Sequence, residues 1–200
     1  MTDDATAVLG RDSVMQRVID ERDPYTEPDW TAFERLCIAI VSQRVSTASA
    51  AAVRERVFEV LDGVVTPESV LAADEGALRE AGLPASKVGY LRNVARAFRR
   101  EDLTKAGLAG YSDDEVLDRL TEITGVGEWT AETFLIFALG REDVLPLGDL
   151  AVRRGIERLY GDADGDGAEL TRAEMEEIAE QWRPHRSLAT RYIWADYLAE

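Results

Sequence analysis

Leu120-Thr121-Glu122-Ile123-Thr124-Gly125-Val126-Gly127-Glu128-Trp129-Thr130-Ala131 is the stretch on which the fold turns. An apolar-bounded segment runs into two glycines flanking one valine, and a helix then starts at Trp129-Thr130-Ala131. Glycines so placed let the backbone turn tightly and approach a ligand closely. The start of the helix presents N–H groups that lack intrahelical partners. Those groups suit an anion, and a DNA phosphate is the natural one. Taken alone, the same pattern is a tight turn joining two helices. Asp149 follows 22 residues after Gly127, inside Leu145-Pro146-Leu147-Gly148-Asp149-Leu150-Ala151-Val152-Arg153-Arg154-Gly155.

Outward from the hairpin, the chain reads as nearly all helix. Val14, Met15, Val18 and Ile19 give Ser13–Asp20 helical spacing, and the Asp23–Pro28 segment, with two prolines, breaks it. Phe33 to Val41 is apolar enough to be a buried helix, and Ser46 to Leu61 is rich in alanine, a strong helix former. Thr66-Pro67-Glu68 is an N-cap followed by proline at the first helical position. A short helix over Leu78–Ala81 closes at Gly82, and Ala85 to Arg100 is amphipathic through Val88, Leu91, Val94, Ala95 and Phe98. Ser112–Glu115 and Thr171–Glu174 fit capping boxes. No β-alternation persists, so a single all-α domain is expected. Residues 161–167 resemble a calcium loop, but the twelfth position counted from Asp162 is Ala173, where a bidentate carboxylate is needed. An acidic solvated turn is the better reading.

Composition sets further bounds. No run of 18 apolar residues exists to span a membrane, and the acidic N-terminus lacks the apolar region of a signal peptide, so a cytoplasmic protein is expected. The one cysteine, Cys37, excludes an internal disulfide and a four-cysteine metal or iron–sulfur centre. A formal net charge of −16, from 39 acidic against 23 basic residues, argues at first sight against a nucleic-acid partner. The cations, however, are almost all arginine, the better bidentate reader of phosphate; Lys87 and Lys105 are the only lysines. High acid with little lysine also suits a salt-loaded cytoplasm such as that of a halophilic archaeon. A mesophilic acidic protein with a basic partner has the same composition.

Read locally, Asp149 is the N-cap of the helix that follows. Its place at a helix N-terminus also favours a negative charge there, as a reaction passing through a sugar cation requires. Trp129, Trp194, Trp182 and Trp30 read locally as core aromatics, Arg44 as a surface loop arginine, and His185 as a packing or surface residue. Arg153, Arg154, Arg183 and Arg186 serve phosphate or internal ion pairs, with Arg186 a candidate partner for a buried carboxylate.

An ordered set of motifs from about Asp12 to Trp194 resembles the helix–hairpin–helix (HhH-GPD) DNA glycosylases. Gln43-Arg44-Val45-Ser46 looks like the family's Gln-x-Val-Ser segment, Gly82–Lys87 with Tyr90-Leu91 resembles the stretch before the hairpin, and Leu120–Ala131 is the hairpin. The tail Trp182–Ala189 with Tyr192-Ile193-Trp194 is similar to that of the AlkA-type branch, DNA-3-methyladenine glycosylase II. The resemblance implies two helical lobes, about 31–130 and about 1–30 plus 131–200, with the active-site cleft between them. Larger AlkA-type proteins carry an N-terminal β-containing domain that has no counterpart in this sequence.

The same resemblance implies that Asp149 is the catalytic carboxylate and that Trp129 and Trp194 line the base pocket, where an indole face attracts a cationic alkylated purine. Bifunctional relatives carry a Schiff-base lysine at the position of Trp129, so base removal by water without strand nicking is expected. Gly125, Val126, Gly127, Thr130, Gln43 and Arg44 are the expected DNA contacts, with Arg44 at the position that fills the duplex after a base flips out. Backbone carbonyls of Thr121, Ile123 and Val126 match those that hold a monovalent cation, Na+ or K+, in relatives; no other cofactor is expected. The expected partner is double-stranded DNA containing damaged bases, met by a monomer. A same-fold glycosylase for deaminated or oxidised bases, and a non-catalytic HhH DNA-binding protein, satisfy the same motifs.

Overall fold

A computed structural model describes residues 2–45, 47–161 and 170–199. Ser46 and the acidic 162–167 stretch, expected above to be a helix start and a solvated turn, lie outside the described residues. The described chain forms α1 (Thr2–Leu9), α2 (Ser13–Glu21), α3 (Ala32–Ser42), α4 (Thr47–Val60), α5 (Pro67–Ala72), α6 (Glu75–Glu80), α7 (Ala85–Arg100), α8 (Asp113–Thr121), α9 (Glu128–Phe134), α10 (Leu150–Tyr160), α11 (Arg172–Glu180) and α12 (Arg186–Leu198), with no strand among the described residues. The all-α expectation holds. The caps are those the sequence announces: Thr66, Ser112 and Thr171 each accept from the backbone three residues on, and the two Glu partners of the boxes bond back. Two elements differ. The acidic N-terminus forms α1, whose Leu9 is fully buried. Helix α6 starts at Glu75, three residues before the expected Leu78, because the Asp74 carboxylate caps the Ala77 N–H at 2.9 Å.

The chain divides into two compact units, residues 29–140 and residues 1–28 with 141–200. Residues 131–140, expected with the second lobe, belong to the first. The helix after the hairpin runs on from α9 into one π turn, Leu135–Leu139, whose Leu135, Ile136 and Leu139 are buried. The buried Arg35 guanidinium of α3 lies 5.0 Å from the centre of the Phe137 ring, tying that turn to α3. Gly140, at φ +70, then ends the element in the left-handed conformation that glycine adopts without strain. In the 29–140 unit, α3 is the central helix, with every residue from Leu36 to Val41 buried. Leu91 and Val94 of α7, Leu120 of α8 and Phe134 of α9 are buried with it.

In the other unit α10 and α12 pack closely and run in the same direction. A Cβ on Gly155 would overlap Ile193, and three residues further along both helices Arg158 pairs with Asp196. The buried node of this unit is Asp12. One carboxylate oxygen caps α2 through Val14 N at 2.9 Å, while the other accepts from the Tyr160 hydroxyl and, at 3.1 Å, from Trp182 Nε1. Trp182 is fully buried, as expected for a core aromatic. Burial first, then the hydrogen bond to Asp12 and its charge, push the Tyr160 phenol well above its ordinary range, so it stays a donor at any working pH.

At the start of α12, Asp143 receives Arg186 Nε at 2.7 Å and Arg183 Nη1 at 2.5 Å. This is the carboxylate partner anticipated for Arg186. Partial burial opposes the Asp143 charge, but the Arg186 hydrogen bond and the charges of Arg186 and Arg183 outweigh it and hold the carboxyl below its ordinary value.

Two outcomes follow for stability. Asp12→Ala removes a cap and strands one buried and one half-buried donor, and should lower unfolding free energy by about 2–4 kcal/mol in chemical denaturation followed by tryptophan fluorescence. For Asp143 the folded pKa lies below the unfolded one, so its contribution is complete above the ordinary value of 3.8 and disappears as pH falls through the depressed folded value. The stability gap between wild type and Asp143→Asn should therefore be constant near neutrality and close only below pH 3.8.

Candidate functional site

Within the 29–140 unit the structure brings the hairpin and the Gln43–Arg44 turn together. The hairpin links α8 to α9 through a Val126 N–H bond to the Ile123 carbonyl at 2.9 Å. Gly125 has φ +107, and a Cβ there would overlap the Tyr90 ring of α7, so only glycine fits on two counts. Gly127 differs: its φ is −97, it is exposed, and a Cβ would meet nothing within 4 Å. It is the N-cap of α9 and brings no side-chain cap, which leaves the start of that helix open to an outside acceptor. Val126 is 5% exposed, so it anchors the hairpin in the core and offers only its backbone.

Gln43 and Thr130, expected among the DNA contacts, have internal roles. Gln43 Nε2 donates to the Gly125 carbonyl at 2.9 Å and to Thr130 Oγ1 at 3.2 Å. The Thr130 side chain is 1% exposed and out of reach of a duplex. Arg44, by contrast, is exposed and sits at φ +56, a left-handed conformation that costs a non-glycine residue about 1 kcal/mol or more. Something must hold it there. Lys87 Nζ donates to the carbonyls of Val41 and Gln43, each at 2.7 Å, closing the end of α3. Asn93 Nδ2 holds the Thr124 carbonyl at 3.1 Å. Lys87, Tyr90 and Asn93 are spaced three apart on one face of α7. In the sequence, Lys87 and Tyr90 stand out only as part of a motif and Asn93 not at all; their three-residue spacing is the one signal that they share a helix face. Trp129, the second residue of α9, is half-buried.

The unit of residues 1–28 and 141–200 carries Asp149 and Trp194. Asp149 is the N-cap of α10, as the local reading has it: Oδ1 accepts from Ala151 N at 2.7 Å and Val152 N at 3.1 Å. The approach to it is rigid. Asp149 N bonds to the Pro146 carbonyl at 2.9 Å, and Arg153 Nη1 holds the Leu147 carbonyl at 2.6 Å. The half-buried carboxylate is thus presented from a fixed turn at a helix N-terminus, where negative charge is favoured. Trp194 is 7% exposed on α12, and Tyr25 meets it edge to face with ring centres 6.1 Å apart. Tyr25 lies in the loop after α2, yet its N–H bonds to the Arg191 carbonyl at 3.0 Å and its carbonyl accepts Arg191 Nε at 2.6 Å. The sequence reading treated that loop only as a break and missed the aromatic pair.

The remaining candidates resolve into structure. Arg154 pairs with Glu157 at 2.8 Å, Arg183 with Glu180 and Asp143, and His185 Nδ1 lies 4.0 Å from Glu142. Trp30 packs edge to face on Phe58. Burial, and then the charge of Glu34, push the Cys37 thiol far above its ordinary range, which makes it a poor nucleophile. No cluster of His, Cys, Asp or Glu suited to a metal ion occurs among the described residues.

The family model for HhH-GPD superfamily base excision DNA repair proteins matches residues 37–181, a span that includes the Gln43–Arg44 turn, the hairpin and Asp149. The chain belongs to the HhH-GPD superfamily of base excision DNA repair proteins. Among individual relatives, DNA-3-methyladenine glycosylase 1 of Schizosaccharomyces pombe is 31% identical over 189 residues, covering 90% of this chain and 78% of that one. The structure of the S. pombe 3-methyladenine DNA glycosylase in complex with abasic DNA has a TM-score of 0.83 at 30% identity, covering 96% of this chain and 95% of that chain. The DNA-3-methyladenine glycosidase of Bacillus halodurans has a TM-score of 0.76 at 32% identity, covering 95% and 87%.

The two hairpin glycines should separate in mutagenesis. Gly125→Ala meets both the positive φ and the Tyr90 ring and should cost about 2–4 kcal/mol of stability. Gly127→Ala should change stability by less than about 1 kcal/mol, since neither constraint applies. Urea titrations of the two variants against wild type make the comparison.

Proposed function

We propose that this base excision repair protein is a monofunctional DNA glycosylase that hydrolyses the N-glycosidic bond of alkylated purines, 3-methyladenine among them, in duplex DNA. The observation that carries the reading is Asp149, a half-buried carboxylate fixed at the start of α10, 22 residues beyond the hairpin, in a chain with no lysine in position for a Schiff base. Of its two lysines, Lys87 is committed to the end of α3 and Lys105 stands beside Gly140. The S. pombe and B. halodurans 3-methyladenine enzymes named above match nearly the whole chain, which supports the substrate class.

In this reading the uncapped start of α9, with Gly127 giving close backbone approach, takes a DNA phosphate. Arg44 enters the gap left when the damaged nucleotide rotates out, and a weakly paired lesion lowers the cost of that rotation. An indole face attracts the positive charge of an alkylated purine, the role that the resemblance implies for Trp129 and for Trp194. That charge already makes the base a good leaving group, so the protein has little protonation to do. Asp149 stabilises the sugar cation that develops as the C–N bond breaks, and orients or deprotonates the attacking water. The products are a free base and an abasic site.

A Na+ or K+ ion would be held by the hairpin carbonyls of Thr121, Ile123 and Val126. Of the three candidate carbonyls, that of Ile123 accepts the Val126 N–H, whereas those of Thr121 and Val126 accept no hydrogen bond among the described residues. Such an ion would screen the phosphate charge. A monomer suffices for these steps.

Asp149→Asn keeps an acceptor for the α10 cap but loses the charge. It should fold with near wild-type stability and slow single-turnover excision by about 100-fold or more. The assay is release of 3-methyladenine and 7-methylguanine from methylated duplex DNA in high potassium chloride, chosen for the acidic composition, with strands scored for abasic sites and nicks. Unnicked abasic product from wild type alone supports the reading; full turnover by the variant overturns the role of Asp149. A wild type that binds DNA but releases neither base overturns the alkylated-purine assignment and directs the search to deaminated and oxidised bases.

A further inference from the structure

Lys87 stands in the first turn of α7, where a positive charge opposes the dipole of its own helix. Its ammonium instead lies at the carbonyl end of α3, 2.7 Å from both the Val41 and Gln43 oxygens, where the dipole favours it. No carboxylate pairs with it among the described residues, and burial draws its pKa below the ordinary lysine value, so the site uses the cation for its donors. The residue just beyond the second of those carbonyls is Arg44, at φ +56 and exposed. The side chain of Gln43 reaches the other way, to the Gly125 carbonyl and Thr130. About one and two turns further along the same face of α7, Tyr90 against Gly125 and Asn93 on the Thr124 carbonyl complete the frame.

We propose that Lys87 is a positioning residue that fastens the Gln43–Arg44 turn to the hairpin, so that the phosphate grip and the side chain that fills the duplex move as one body. This rests on the reading of the hairpin as the docking element and of Arg44 as the duplex-filling residue. Without the ammonium, the two carbonyls lose their donors and Arg44 relaxes from its left-handed conformation. DNA still docks on the hairpin, but the filling side chain no longer meets the gap at a set angle. Lys87 touches neither base nor sugar; it acts through Arg44.

The test uses the full chain as wild type, Lys87→Met, Arg44→Ala and the double variant. Affinity is measured by fluorescence anisotropy for an undamaged duplex and for the same duplex with a tetrahydrofuran abasic analogue, with thermal unfolding as control. K87M should bind the undamaged duplex about as wild type does, lose about tenfold of the preference for the abasic duplex, and add nothing in the R44A background. K87M that keeps the preference, weakens both duplexes alike, or lowers the preference further in the R44A background overturns the proposal while leaving Arg44 its role. R44A that keeps full preference overturns the reading of Arg44, and the proposal with it. If K87M does not fold, Lys87→Gln carries the comparison: its uncharged amide, one bond shorter, cannot hold both carbonyls that Nζ meets at 2.7 Å, so it should lose the same preference, and a retained preference overturns the proposal.

Discussion

The Lys87 ammonium closes the end of α3, and three and six residues further along the same face of α7, Tyr90 and Asn93 hold Gly125 and Thr124. In the 29–140 unit, Lys87 of this ridge holds the Gln43–Arg44 turn, and Tyr90 and Asn93 hold the hairpin. Between Gly125 and the end of α8, the hairpin backbone is closed among the described residues by the Val126 N–H bond to the Ile123 carbonyl. Such a bent segment keeps its shape only when neighbouring side chains take up its carbonyls, because each stranded polar group in a partly buried site is costly. Gln43 adds the cross-link from the α3 turn, and Thr130 gives up its hydroxyl to receive it. Gly127 and Arg44 are exposed at this frame, and the residues that hold them, Gln43, Lys87, Tyr90 and Asn93, make internal contacts.

Charge is used sparingly for a chain with so many carboxylates. Several cations serve carbonyls inside the fold rather than carboxylates: Arg153 on the Leu147 carbonyl, Arg191 on that of Tyr25, Arg56 on that of Ala81, Arg92 on that of Ala73. Guanidinium suits this work because its fixed fork donates to carbonyls while its charge offsets a surrounding negative field. Affinity for DNA in such a protein must come from a few well-placed contacts and from backbone N–H groups, since the global field opposes a polyanion. A hairpin that grips through main chain is the arrangement that tolerates this composition.

In the proposed function, the capping role and the chemical role of Asp149 coincide. The N-cap geometry fixes one carboxylate oxygen on two N–H groups, and the preceding turn, held by Pro146 and Arg153, fixes the backbone beneath it. A group so held needs no reorganisation when positive charge develops nearby, which is the condition for electrostatic stabilisation of a sugar cation. The structural explanation of the residue and the chemical one are therefore the same geometry seen from two sides.

The linear sequence by itself determined the helices, because their signals are local. Capping boxes at Ser112 and Thr171, Thr66 with Pro67, and the apolar period of α7 each act within a few residues of chain. It also determined Asp149 as a cap and the hairpin as a glycine turn, and it excluded a four-cysteine centre through a single count. What only tertiary structure decided was direction: whether a polar side chain points to solvent or to another segment. Gln43 and Thr130 read as outward contacts and turned inward to each other across 87 residues; Lys87 crossed 44 to reach Gln43, and Tyr25 crossed 166 to Arg191. The same holds for residues 131–140, whose place beside α3 comes from Phe137 under a buried arginine. A hydrogen bond between distant segments depends on how helices pack, and packing is a property of the whole folded unit, leaving no period or spacing in the chain to announce it.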